Sequence, residues 1–196
     1  MSAEARVYWG ITGHRRIASP EIVLDRILRE GEALLGHYSN IHGLTPLAEG
    51  ADRLFAEALL QLGIPYHVPL PLAEDNYKKD FPLSGKQFQH YLNHAKTVFT
   101  LPRCPWLMPD DILDQGEGRN FQYLSVGTYL IHQCDVLFSI WDGHPARGIG
   151  GTAQITELYR DFSRLKPLIT TQQYNYFSQL GTRKTLSKKL ILIDVE

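Results

Sequence analysis

The chain has 196 residues, 43% hydrophobic and 21% charged, which is enough apolar material for the core of one domain of ordinary size. A formal net charge of −1 argues against a global basic field that would draw the protein to nucleic acid or an anionic membrane, leaving only local basic patches such as Arg183-Lys184 with Lys188-Lys189. No apolar run is of signal-peptide or membrane-spanning length, so a cytoplasmic protein is expected.

Short apolar runs alternate with amphipathic helical stretches, the pattern of a parallel sheet with crossover helices. The first strand is Val7-Tyr8-Trp9-Gly10-Ile11, followed by the turn Thr12-Gly13-His14-Arg15-Arg16. Ser19-Pro20 reads as a helix start, and Val23, Leu24, Ile27, Leu28, Leu34 and Leu35 recur at helical spacing up to Gly36. A second strand is expected from about His42 to Ala48. Glu49-Gly50-Ala51-Asp52 then leads into a helix with the stripe Leu54, Phe55, Ala58, Leu59 and Leu62, ending at Gly63 and Pro65.

The third strand is Tyr66-His67-Val68-Pro69-Leu70, whose proline suggests an edge position or a strand end. A polar loop from Ala73 to Phe81 follows. Ser84 with Gln87 fits a capping box for a helix to about Ala95, and Thr97-Val98-Phe99-Thr100-Leu101 is a short strand. Pro102 to Gly118 has no periodicity and reads as a long loop, suited to a lid. A helix is expected from about Arg119 to His132, and then the most strand-like segment, Asp135 to Trp141, ending at Asp142-Gly143. The glycine turn Gly148-Ile149-Gly150-Gly151-Thr152 opens a helix with Ile155, Leu158, Tyr159 and Phe162. A last strand is placed at Leu168-Ile169-Thr170. After Gln172 the tail is harder to read, although Leu190 to Ile193 is strand-like and could add to an edge. The fold class is thus α/β, a Rossmann-like parallel sheet flanked by helices on both faces. It forms a single domain over residues 1–196, with a core at about 6–171 and a C-terminal extension at 172–196.

In such a sheet the strand-to-helix turns share one edge, where ligands bind. Three turns carry unusual residues. In the first, Thr12 and Gly13 permit close approach, and His14 and Arg15 offer donors to phosphate or carboxylate; a tight turn with solvated arginines explains them equally well. In the second, Glu49, Gly50 and Asp52 could meet a ribose hydroxyl or base edge, although helix capping accounts for Asp52. In the third, Asp142 and Gly143 precede Gly150, Gly151 and Thr152, whose free N–H groups at a helix N-terminus form an anion site. This is neither a Walker A loop, since no Lys-Ser or Lys-Thr follows, nor a Gly-x-Gly-x-x-Gly fingerprint. Arg119 falls near the same edge and could clamp a phosphate.

Metal and thiol signals are weak. His90 and His94 have metal-ligand spacing on a helix, but no third ligand is evident, and their expected place is a polar helix face. Cys104 and Cys134 match no zinc spacing and no Cys-x-x-Cys motif; free thiols in a reducing compartment are expected. No metal and no cofactor are expected.

The segments Ile11-Thr12-Gly13-His14-Arg15, Leu47-Ala48-Glu49-Gly50-Ala51-Asp52, Asn120-x-Gln122-Tyr123 with Gly127, and Leu137 to Gly143 with Gly150-Gly151-Thr152-Ala153 together resemble the SLOG superfamily. This Rossmann-like group includes the Lonely guy phosphoribohydrolases, DprA-like proteins and molybdenum-cofactor carrier proteins. The resemblance implies a nucleotide or nucleotide-derived ligand on the glycine turn, and a role in sensing nucleotide signals in bacterial defence or signalling. It also implies homo-oligomers and, for a chain this short, a separate effector protein. Lonely guy enzymes carry Pro-Gly-Gly-x-Gly-Thr-x-x-Glu. Here Arg147-Gly148-Ile149 stands at the Pro-Gly-Gly and Ile155 at the glutamate, with Glu157 two residues further on. That departure favours binding over cleavage. The alternative is an N-glycosidase acting on a nucleotide, with Glu49, Asp142 and Glu157 as candidate catalytic carboxylates and Glu74 and Asp75 behind them.

Overall fold

The strands form where β-branched and aromatic residues run together, and the central strands Val7–Gly13, Ile41–Leu44, Tyr66–Leu70 and Val136–Ile140 are buried on both faces. The structure, a computed structural model, describes residues 5–145, 149–181, 183, 185 and 188–195. Strands β1 (Val7–Gly13), β2 (Ile41–Leu44), β3 (Tyr66–Leu70), β4 (Thr97–Thr100), β5 (Val136–Ile140) and β6 (Lys189–Ile193) make one sheet in the order β4-β3-β2-β1-β5-β6. Every pairing is parallel. The helices are α1 (Pro20–Leu35), α2 (Ala51–Gln61), α3 (Glu74–Tyr77), α4 (Gly85–His94), α5 (Glu117–Gln133), α6 (Thr152–Arg160) and α7 (Thr171–Gln179).

Successive strand residues point to opposite faces, so β1 divides its side chains between two cores. Trp9 and Ile11 join Val23, Ile27, Phe55 and Leu59 under α1 and α2, and Phe88 and Tyr91 of α4 extend this layer. On the other face Leu137 packs with Leu124, Ile131, Ile155, Leu158 and Phe177 of α5, α6 and α7. The α/β architecture with helices on both faces is therefore as the sequence predicts. The strand order reverses between β1 and β5, and that switch point places a crevice at their carboxyl ends.

Several local expectations need correction. Pro69 lies in an interior strand and not at an edge, but next to the last residue of β3, so the strand-end alternative holds. The carbonyl of His67 accepts from Thr45 on the β2 side, so the alternating Pro69 nitrogen faces that side too, and β2 ends at Leu44; no ladder bond is lost. The capping box at Ser84 does not form. The Ser84 hydroxyl instead donates to Glu49, and Gln87 accepts from the guanidinium of Arg53 at 3.0 Å. The expected strand at 168–170 is absent: a 3-10 segment Phe162–Leu168 leads into α7, capped reciprocally by Thr170 and Gln173. Hydrogen bonding of the Thr170 side chain with the Gln173 backbone outcompetes the short apolar run.

The sixth strand comes from the tail, and Ile191 and Ile193 are buried, so the core continues past residue 171. The polar stretch 73–81 holds α3 and a 3-10 turn at 78–80. The stretch 102–118 is pinned rather than free: the carbonyl of Ile112 accepts from Asn76 and Arg119, and the Cys104 N–H donates to Gln122 at 2.8 Å.

Candidate functional site

A cavity of about 740 Å³ opens at the carboxyl ends of β1 and β5. Its walls are the Thr12–Arg16 turn, the loop before α2, the N-terminal half of α5, and the start of α6. The topology thus brings the three turns singled out in the sequence to one crevice.

The first turn is fixed at both ends. The His14 N–H donates to the Ile140 carbonyl at 3.1 Å, and the His14 carbonyl accepts from Ala51 at 3.1 Å, tying β1 to β5 and to α2. The imidazole Nε2 lies 3.2 Å from Asp142 Oδ1 and 3.3 Å from the Asp142 N–H. These two contacts tie the turn after β1 to the turn after β5. The His144 N–H, and after it His14, hold the Asp142 carboxyl below the usual carboxylate range.

The loop before α2 is strained into place. Leu47 is fully buried with φ at +62°, a left-handed conformation that costs a branched residue on the order of 1–3 kcal/mol. Gly50 has φ at +76°, and a Cβ there would lie 2.4 Å from the carbonyl oxygens of His14 and Arg15. Only glycine fits both the angle and the contact. This geometry aims Asp52 at the cavity. Its side chain accepts from the Ala48 N–H through Oδ2 at 3.0 Å, and burial pushes its pKa up to about 7. Glu49 is not in the cavity wall; the Ser84 hydroxyl engages it instead.

At the third turn, Gly148 and Arg147 lie outside the described residues. Gly150 has φ at +82°, and a Cβ there would press on the Leu124 amide nitrogen at 2.9 Å. The Gly150 N–H donates to Gln154 Oε1 at 2.6 Å. Gly151 caps α6 without a side-chain bond, and Gly151, Thr152 and Ala153 line the cavity. Thr156 anchors this end of the helix: its hydroxyl contacts Ser139 on β5 at 2.7 Å and donates to the Thr152 carbonyl at 2.8 Å. Gly143 has φ at +75° and serves the turn after β5; it is not among the cavity-lining residues. Glu157 points away, paired with Arg164 at 3.4 Å, whereas Ile155 lines the cavity.

Arg119, expected near a phosphate, is 1% exposed and does not line the cavity. Its guanidinium pairs with Asp80 at 2.6 Å and donates to Asn76, to the Ile112 carbonyl and to the Tyr123 hydroxyl oxygen. Asn120 and Tyr123, which belong to the segments that carry the family resemblance, line the wall together with Tyr77, and the buried Asp80 lies behind them. Tyr77 and Asp80 come from the polar stretch 73–81, where no periodicity or turn motif marks them as site residues. Burial pushes the Tyr77 phenol well above its ordinary pKa. Arg53 is a further missed residue: its guanidinium sits 4.6 Å above the Phe81 ring and donates to Leu47, Ser84 and Gln87, bracing the strained loop.

The residues considered for other chemistry lie elsewhere. The His94 ring donates to the His90 carbonyl at 2.8 Å. Among the described residues no group of three or more His, Cys, Asp or Glu could hold a metal ion, and no helix is long and apolar enough to cross a membrane. Cys104 and Cys134 are buried, and burial raises both thiols, Cys104 to about 11.

No protein-family model matches the chain, and no curated protein matches it. Among solved structures it is similar to DNA processing protein A (DprA) from Streptococcus pneumoniae, with a TM-score of 0.55 and 15% identity. The match covers 94% of this chain and 58% of that one, so the chain spans less than two thirds of the neighbour's length. The likeness shows a shared DprA-like Rossmann fold.

Proposed function

We propose that this chain is a SLOG-like module that binds a nucleotide or nucleotide-derived ligand, with a phosphate on the N-terminus of α6. One observation carries the reading: the uncapped first turn of α6 opens into the cavity at the β1–β5 switch point, where fixed N–H donors and the helix dipole favour an anion. Thr12, Gly13, His14 and Arg15 face it from β1, and Asp52 and Asp142 supply groups for hydroxyls or a base edge. The volume lies within the range of small-molecule sites. Binding would shift the population of a form recognised by a second copy of the chain or by a separate effector protein.

The test is thermal unfolding of the purified chain with a panel of nucleoside 5′-phosphates and with single-stranded oligonucleotides. A ligand at a hundred times its Kd raises stability by about 2.7 kcal/mol. Stabilisation by mononucleotides supports the reading. Stabilisation by oligonucleotides alone replaces it with nucleic-acid binding. No stabilisation by either overturns it.

A second reading, nucleotide N-glycosidase, is favoured by Asp52 and Asp142. Their environments push their pKa values apart, Asp52 upward and Asp142 downward, the division of a proton donor and an anion. Glu49 and Glu157 are engaged outside the cavity and do not fit that role. Release of free base from a bound nucleotide, lost in Asp52→Asn, is the expected outcome if this reading holds; intact nucleotide after prolonged incubation overturns it.

A further inference from the structure

We propose that Arg15 forms a second anion pole of the cavity, so that the ligand carries at least two anionic groups, one on the α6 N-terminus and one on this guanidinium. The proposal rests on the nucleotide-binding reading and narrows it to nucleoside diphosphates and larger polyphosphate or dinucleotide ligands.

The argument begins with Asp80, whose side chain is completely buried. Oδ1 accepts from Arg119 at 2.6 Å and from Gln115 at 2.6 Å, and Oδ2 accepts from the Tyr123 hydroxyl. One cation, Arg119, thus neutralises this carboxylate, and neutral donors complete its shell. Arg15 adds a second positive charge to the same cluster. Its Nη2 lies 3.8 Å from Asp80 Oδ2, outside hydrogen-bond range, and its side chain is 44% exposed on the cavity wall. The charge is surplus to the ion pair, and its guanidinium retains donors for a ligand.

That guanidinium is also pre-oriented. It sits 5.5 Å from the centroid of the Tyr123 ring, and the same tyrosine is held through its hydroxyl by Asp80 and by Arg119 Nε at 3.1 Å. Burial works against the charge on Arg15, but Tyr77, Tyr123 and Asp80 outweigh it, and the group stays a cation. A planar donor set fixed by an aromatic face suits a second phosphate or a carboxylate. Asp80 and Tyr123 are positioning residues here; they act through Arg15.

The experiment is calorimetric titration of the full chain with matched nucleoside 5′-mono- and diphosphates, followed by Arg15→Gln, Arg15→Lys, Tyr123→Leu and Tyr123→Phe. Unfolding temperatures check that each variant is folded. In the wild type the diphosphate is expected to bind about tenfold tighter or better. Arg15→Gln should bring that ratio close to one, and Arg15→Lys should restore part of it. Tyr123→Leu should reduce the ratio, and Tyr123→Phe, which keeps the ring, should retain more of it. Monophosphate binding with no gain from the second phosphate overturns the second pole while leaving the nucleotide reading intact. The same holds if the ratio persists in Arg15→Gln. Failure of every nucleotide to bind overturns both.

Discussion

Replacing Gly151 with aspartate separates the site from the fold, because the two effects have opposite signs. Gly151 precedes α6 at φ −78° and ψ 163°, a conformation open to any residue, and it is exposed. An aspartate there gains an N-cap acceptor for the first-turn N–H groups and places a negative charge at the positive end of a nine-residue helix. These contributions amount to about 0.3–1 kcal/mol of added stability, or roughly 1–4 °C in Tm for a chain of this size. The same carboxylate occupies the donors that the phosphate needs. Losing two hydrogen bonds to a charged group, at about 1.5–3 kcal/mol each, weakens binding roughly a hundredfold or more. The assay is paired: urea unfolding without ligand and calorimetry with the nucleotide that stabilises the wild type. Unchanged affinity in Gly151→Asp would refute the phosphate placement, and a clear loss of stability would refute the cap geometry.

Other outcomes follow from the packing. In Arg119→Met, the buried Asp80 loses its hydrogen-bonded cation and keeps only the more distant Arg15, and urea unfolding should show a loss of about 3–5 kcal/mol, much of it recovered by adding Asp80→Leu. A Cβ on Gly127 would lie 2.3 Å from Ile155 Cδ1, so Gly127→Ala should cost about 1–3 kcal/mol and Ile155→Val should relieve it; additive losses would sink that explanation. His42 and His67 are joined at 2.9 Å, and burial, with Arg6 and Lys96 nearby, lowers both pKa values, His42 to about 4. The folded state therefore holds them neutral while the unfolded state protonates near 6.5. Their contribution is full above pH 6.5 and is lost as pH falls toward 4, and His42→Gln should flatten that part of the stability profile measured by urea unfolding.

Periodicity and turn chemistry made most of the sheet legible. Short apolar runs marked β1, β3, β4 and β5, and helical spacing marked α1, α2 and α6, because a parallel sheet packed between helices demands those patterns locally. The turns at Thr12–Arg15, Gly50–Asp52 and Gly150–Thr152 could be singled out because small and polar residues between a strand and a helix form a local pattern, while the close contacts that hold Gly50 against His14 and Arg15 and Gly150 against Leu124 appear only in the fold. Other features depended on contacts that sequence order does not record. Thr170 and Gln173 started a helix where an apolar run suggested a strand, whereas the strand-like run Leu190 to Ile193 did add β6 to an edge of the sheet.

The site divides the same way. From its own sequence the chain determined a Rossmann-like fold with small, polar turns at one edge. Only the tertiary structure decided which side chains face the cavity. Arg119 turned inward because the buried Asp80, 39 residues away, needs its charge. Glu49 was drawn to Ser84, 35 residues away, and Asp52 was left facing the crevice with a carboxyl that burial holds partly protonated near neutral pH. Local pattern specifies backbone shape, whereas the partner and charge state of a polar side chain are set by what the fold brings against it and by how much water it removes.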